Sequence, residues 1–161
     1  LKGLEIGLGT GKLPPHRFYE LMCQELKLKG LSFEEFERIY SNLFSAKKDT
    51  LKLFRALSKK YAIAMLSNTN GIHYSYWLKV LGKDAKLFKE LVLSFQVGLM
   101  KPDSRIFLEA AKRLEVEPQQ CVFIDDVKEY VNAAKKVGMH AIHFVSASQL
   151  RKDLAAAGIK V

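Results

Sequence analysis

The sequence predicts an α/β protein, a parallel sheet wound with helices and preceded by a small helical lobe. Three observations carry that expectation. Four short apolar runs, AIAML (62–66), LVLSF (91–95), CVFI (121–124) and HAIHF (140–144), are separated by helical patterns. Strands that alternate with helices are joined by right-handed crossovers, which makes the sheet parallel. The first 46 residues hold no such run and read as helices alone. Finally, the run at 121–124 ends in two adjacent carboxylates, Asp125 and Asp126. Like charges at the tip of a buried strand repel and resist desolvation, so a cation is expected beside them.

Taken in order, residues 1–13, LKGLEIGLGTGKL, are glycine-rich and precede Pro14-Pro15. They read as a turn-rich opening segment, and Pro15 suits the first position of a helix. The GLGTGK within them fails as a phosphate loop. The position for its first glycine is Ile6, Leu13 stands where Ser or Thr belongs, and no strand precedes it. Phe18, Leu21, Met22, Leu26 and Leu28 form a helix-period stripe over about 14–28. Ser32 with Glu35 reads as a capping box for a second helix carrying Phe33, Phe36, Ile39, Tyr40 and Leu43. A third helix, about 48–60, carries Leu51, Leu53, Phe54 and Leu57. The strands begin after it. The division is therefore a helical subdomain at 1–46 and an α/β unit at 47–161.

The totals agree with a single globular core. The chain has 161 residues, 48% of them apolar and 27% charged, ordinary for a soluble protein. No apolar run approaches the length of a membrane span and no secretory signal pattern opens the sequence. Cys23 and Cys121 lack metal-type spacing and read as buried thiols of a reducing cytoplasm. Lys and Arg outnumber Asp and Glu by 26 to 17. The lysines are scattered singly and in pairs without interleaved aromatics, so general solubility explains them better than nucleic-acid binding.

Ligands of open α/β sheets gather at the carboxyl ends of the strands. After AIAML comes Ser67-Asn68-Thr69-Asn70-Gly71: a hydroxyl, an amide and then a helix start, which together suit a phosphate. After LVLSF comes Gln96-Val97-Gly98-Leu99-Met100-Lys101-Pro102-Asp103, where Pro102 keeps Lys101 extended and presents its ammonium from a loop. After CVFI come Asp125 and Asp126. Separately, Ser67-Asn68 reads as a helix cap, Lys101 as a solvated charge and Asp125 as a cap. Their occurrence at three successive strand ends favours one phosphate site with Mg²⁺ against the carboxylates.

These residues carry a resemblance. An apolar strand ending in Ser67-Asn68, then Lys101-Pro102-Asp103, then a strand ending in Asp125-Asp126 ahead of a helix with Asn132-Ala133-Ala134 and Gly138-Met139, resembles the haloacid dehalogenase (HAD) superfamily. It covers essentially the whole chain, with residues 14–46 resembling the helical cap. LSNTN followed by His73, together with VGLMKPD, most resembles the small sugar-phosphate phosphatases. Related cap-bearing members are dehalogenases and the phosphatase lobes of epoxide hydrolases. The resemblance implies a Rossmannoid three-layer α/β fold with a parallel sheet. It also implies that Ser67 bonds the transferring phosphoryl group with Asn68 in support. Lys101 would neutralise the phosphoryl oxygens and the nucleophile, and Asp125 and Asp126 would hold Mg²⁺ in a positioned in-line displacement. His73 and Trp77 become candidates for the substrate side, though a tryptophan there suits the core equally well.

The family's nucleophile is an aspartate in a DxDx[TV] motif ending the first strand, and its second aspartate is the general acid/base. No D-x-D occurs in these 161 residues. The sequence starts with Leu at the point where the cap should begin, so the expectation is a chain lacking the first, central strand and part of a longer enzyme. Without the nucleophile it should be inactive, and two unpaired strand edges should make it unstable on its own. The leading reading is a cytoplasmic, Mg²⁺-dependent phosphatase of small phosphorylated metabolites in its full-length form. The alternatives are a metal-free 2-haloacid dehalogenase, which has less need of paired carboxylates, and a non-catalytic phosphate-binding remnant. A nucleic-acid binder comes last. Nothing in the sequence fixes the substrate or the oligomeric state.

Overall fold

The computed structural model describes residues 1–43 and 45–161. Three helices come first: α1 (Lys2–Gly9), α2 (Pro15–Glu25) and α3 (Phe33–Ser41). Helix α1 corrects the expectation of a turn-rich opening. Leu4 and Leu8 lie one turn apart and pack with Phe18, Phe36 and Ile72, and this tertiary burial outweighs the poor helix propensity of glycine. Glycine is needed just after it. Gly11 has φ of +71°, and a Cβ there would collide with the Phe95 carbonyl. The next two helices start as the sequence indicates. Pro15 is the first residue of α2, and Ser32 Oγ accepts from the Glu35 N–H at 3.2 Å while Glu35 accepts from the Ser32 N–H at 3.0 Å.

The remainder runs α4 (Lys48–Leu57), β1 (Ala64–Ser67), α5 (Gly71–Leu81), β2 (Glu90–Leu93), α6 (Ser94–Val97), α7 (Ser104–Leu114), β3 (Val122–Asp125), α8 (Lys128–Lys136), β4 (His140–His143) and α9 (Ala147–Ala156). Short 3₁₀ turns occupy Gly82–Leu87 and Pro118–Gln120. The second apolar run stops being a strand earlier than the sequence suggested. Ser94 leaves the ladder, is fully buried, donates to the Thr69 carbonyl and accepts from the Thr69 N–H, both at 2.9 Å. The chain then makes one helical turn ending at Gly98, which is left-handed. Cys23 and Cys121 are free thiols, but only half-buried.

The sheet is parallel, as expected, and divided. β1 pairs with β2 from Ala64↔Glu90 to Ser67↔Leu93, and β3 pairs with β4 from Val122↔His140 to Asp125↔His143. Among the described residues no ladder joins the two pairs. The alternation of strand side chains gives three layers. Phe123 and Ala141 pack with Ile106, Phe107, Ala110 and Ala111 of α7 and Val131 and Ala134 of α8. Val122, Ile124 and Ile142 face the other way, onto Leu53 of α4 and Leu150 and Leu154 of α9. Interior strands of parallel sheets are ordinarily buried on both faces, yet all four residues of β1 are half-exposed. That exposure fits an α/β sheet lacking its central strand.

Candidate phosphate site at the strand ends

A carboxylate and a backbone carbonyl from the strand ends converge on Lys101. Its Nζ donates to Asp125 Oδ2 at 2.6 Å and to the Leu66 carbonyl at 3.1 Å. Both partners of the ion pair are buried, at 8% and 9% side-chain exposure. The ammonium also lies 5.0 Å from the centre of the Tyr130 ring and 5.6 Å from that of Phe123. A buried pair of this kind holds together because each charge is the other's solvent. Removing one partner strands the other. A cation beside Asp125 is thus supplied by Lys101, next to the two carboxylates expected to take Mg²⁺.

Asn68 fixes the lysine from behind. Its side-chain Oδ1 accepts from the Lys101 N–H at 2.7 Å and its Nδ2 donates to the Lys101 carbonyl at 2.8 Å. This reciprocal pair sets the orientation of the amide, so the side chain expected to support the phosphate holds the Lys101 loop. Ser67, the last residue of β1, makes no side-chain hydrogen bond with the described residues. Its hydroxyl remains free to donate at the rim. Asp103 caps α7 by accepting from the Arg105 N–H at 2.9 Å. The Arg105 guanidinium beside it holds its carboxyl at a pKa of about 2.

Asp125 and Asp126 are adjacent in sequence and differ in use. Asp125 accepts from the Val127 N–H through its second oxygen at 2.9 Å, which braces the turn leading into α8. Asp126 is exposed, and among the described residues only its backbone carbonyl is engaged, by His143 Nε2 at 3.0 Å. Mg²⁺ takes hard oxygen ligands and is commonly held by one or two carboxylates, with water and substrate phosphate completing its octahedron. The two aspartates fit that partial role. Among the described residues no third His, Cys, Asp or Glu joins them, so at most two protein carboxylates are offered.

The other two candidates lie apart from this cluster. His73, in α5, donates through Nε2 to the Tyr40 carbonyl at 3.1 Å, and its ring stacks on Tyr40 at 4.6 Å. Asn70 accepts the His73 N–H through Oδ1, which turns its NH₂ toward His73 Nδ1 at 3.1 Å. These bonds require the neutral imidazole with its proton on Nε2. Burial pushes its pKa below the ordinary value, and the bond to the Tyr40 carbonyl opposes this. Trp77 is 8% exposed and stands edge-to-face against Tyr74 at 5.1 Å, in the core. Sequence reasoning missed Tyr130, whose hydroxyl accepts from Asn68 Nδ2 at 3.3 Å, and Ser94, hidden inside an apolar run. Tyr130 follows Asp125 by five residues on α8, and that spacing was its one available signal.

A profile of haloacid dehalogenase-like hydrolases matches residues 17–138. The chain belongs to the haloacid dehalogenase-like hydrolase family. Among relatives of this HAD chain, the flavin mononucleotide hydrolase 1 of Arabidopsis thaliana is 37% identical over 92 residues, covering 55% of the chain and 38% of that protein. A D-ribitol-5-phosphate phosphatase of Bacteroides thetaiotaomicron is 27% identical over 154 residues, covering 91% of the chain and 74% of that protein. A solved HAD enzyme from the same bacterium, in complex with magnesium and inorganic phosphate, superposes with a TM-score of 0.84 at 22% identity, over 91% of this chain and 78% of its own. That likeness establishes the fold. The HAD chain spans 38% of the Arabidopsis hydrolase and 31% of a glyceraldehyde 3-phosphate phosphatase of Methanopyrus kandleri, to which it is 34% identical over 73 residues, 44% of this chain. Among the described residues no helix is long and apolar enough to cross a membrane.

Proposed function

We propose that this chain carries the phosphate-binding part of a cytoplasmic, Mg²⁺-dependent phosphatase acting on small phosphorylated metabolites of the sugar-phosphate class. The observation that carries the reading is the buried Lys101–Asp125 pair set between the ends of β1 and β3. Ser67 would donate its hydroxyl to a phosphoryl oxygen, while the Lys101 ammonium neutralises charge on the phosphate and on an attacking carboxylate. Asn68 holds the loop that presents the lysine. Asp125 and Asp126 would hold Mg²⁺, which when bound supplies further positive charge against the phosphoryl oxygens. Helices α1–α3, within residues 1–46, would serve as the cap over the rim, with His73 tying the cap to the α/β unit (47–161) instead of touching substrate. Turnover requires a carboxylate nucleophile at the end of a strand between β1 and β3, as the family resemblance implies. Relatives named for ribitol, glyceraldehyde and flavin phosphates support the substrate class.

Titration calorimetry with inorganic phosphate tests the reading directly. The expected result is phosphate binding that strengthens with Mg²⁺ and vanishes in Lys101→Met. Binding that is indifferent to that substitution would refute the site. A second reading, a phosphate-binding module without turnover, is favoured by the lack of a third carboxylate near Asp125 among the described residues. It predicts phosphate binding with no hydrolysis even when a nucleophilic strand is supplied.

A further inference from the structure

Lys101 is held at both ends, and one residue that no motif singles out touches both holds. Tyr130 sits on α8, on the β3–β4 side of the sheet. Its ring centre lies 5.0 Å from Lys101 Nζ. Its hydroxyl oxygen accepts the N–H of Asn68 Nδ2 at 3.3 Å, while Nδ2 also donates to the Lys101 carbonyl at 2.8 Å. The Asn68 amide thus has its two N–H groups divided between Lys101 and Tyr130, and its oxygen on the Lys101 N–H. Lys101 Nζ has three N–H groups. Two go to Leu66 and Asp125, and the third has no hydrogen-bond acceptor among the described residues. With Phe123 on a second side at 5.6 Å, the aromatic faces attract the ammonium, keep water from it and leave it few rotamers.

We propose that Tyr130 is a positioning residue of this site: its ring fixes the Lys101 ammonium against Asp125 while its hydroxyl braces the Asn68 amide that anchors the Lys101 backbone. Among the described residues the two halves of the sheet share no ladder, and this contact from α8 to the loops after β1 and β2 ties them across the rim. It sets where the lysine's remaining N–H can point. The claim about Lys101 stands on geometry alone, and its consequence for phosphate rests on the function proposed above.

The test uses the full chain and two variants, Tyr130→Phe and Tyr130→Leu, compared by ¹⁵N NMR of the lysine ammonium and of the Asn68 side-chain amide. In Tyr130→Leu the Lys101 ammonium should exchange its protons about tenfold faster and lose its ring-current shift, since loss of a desolvated cation–π contact corresponds to roughly that factor. In Tyr130→Phe the ammonium signal should stay, while the Asn68 amide shifts and exchanges about threefold faster, as expected for one long hydrogen bond. Inorganic phosphate should bind about tenfold more weakly to Tyr130→Leu than to the unmodified chain. A folded Tyr130→Leu with unchanged Lys101 exchange overturns the proposal. If Tyr130→Leu does not fold, an unchanged Asn68 amide in Tyr130→Phe overturns it. Absence of phosphate binding in the unmodified chain overturns the phosphatase reading, and the ammonium and amide signals then decide the positioning role alone.

Discussion

The two halves of the sheet are built alike and contribute differently. Each is a pair of parallel four-residue strands, and the first strand of each ends in a polar residue, Ser67 in β1 and Asp125 in β3. The β1–β2 half supplies neutral and cationic groups: the Ser67 hydroxyl, the Asn68 amide and the Lys101 ammonium. The β3–β4 half supplies the anions, Asp125 and Asp126. Within each half the backbone ladder does the joining. At the rim the joining falls to side chains, chiefly Lys101 to Asp125 and Asn68 to Tyr130. The comparison teaches that the candidate site lies at the seam that no ladder crosses among the described residues, beside a core the halves share through Val92, Phe123 and Ala141. The groups proposed to bind an anion also bridge the halves, so stability and function should be perturbed by the same substitutions.

The largest effect should come from cutting the seam at its charge pair. Lys101→Ala leaves the Asp125 carboxylate buried without its cation and should cost about 3 kcal/mol, read from urea unfolding. Adding Asp125→Asn should recover part of that loss. If the single variant is as stable as the unmodified chain, the pair does not hold the halves together. Next, Asn68→Ala removes both anchors of the Lys101 backbone and should cost about 2 kcal/mol, by the same measurement. Asn68→Asp should do no better than alanine at the Lys101 carbonyl, because a carboxylate accepts and cannot donate.

A smaller effect separates the seam from the helical subdomain. His73 is held neutral at the Tyr40 carbonyl, and burial sets its folded pKa below its ordinary value, about 6.5 in an unfolded chain. Below that value the unfolded chain takes up a proton that the folded one refuses. Stability should therefore fall as pH drops from about 6.5 to the depressed folded pKa, and level off beyond it. His73→Gln should flatten this part of a pH–stability profile, while Lys101→Ala should leave it in place. The smallest effect belongs to Asp126. Exposed and in no ion pair with the described residues, it should tolerate Asp126→Asn within about 0.5 kcal/mol, even as Mg²⁺ enhancement of phosphate binding is lost. Such a split would mark it as functional and not structural.

Much of this was legible in the sequence because each signal was local. The strands at 121–124 and 140–144, the capping box at Ser32 and Glu35, and the three strand ends all follow from short patterns, and the parallel layering follows from their order. What escaped depends on contacts distant in sequence. α1 forms because Leu8 finds Phe18 and Ile72, which no glycine-rich stretch announces. Ser94 quits its strand because Thr69 is waiting for it. The clamp of Asn68 on the Lys101 backbone was hidden because Lys101 lies 33 residues away in sequence and against it in space. Tyr130 and the division of the sheet belong to the same class, since neither is visible until the strands are paired.

The measurement that bears most directly on the account is hydrolysis by a fusion in which an apolar strand ending in DxDx[TV] is joined ahead of residue 1. Release of phosphate from small sugar phosphates would be followed with and without Mg²⁺. The account predicts Mg²⁺-dependent turnover that disappears in the same fusion carrying Lys101→Met. A folded fusion that binds phosphate without hydrolysing it, or that turns over equally well without Lys101, would contradict it.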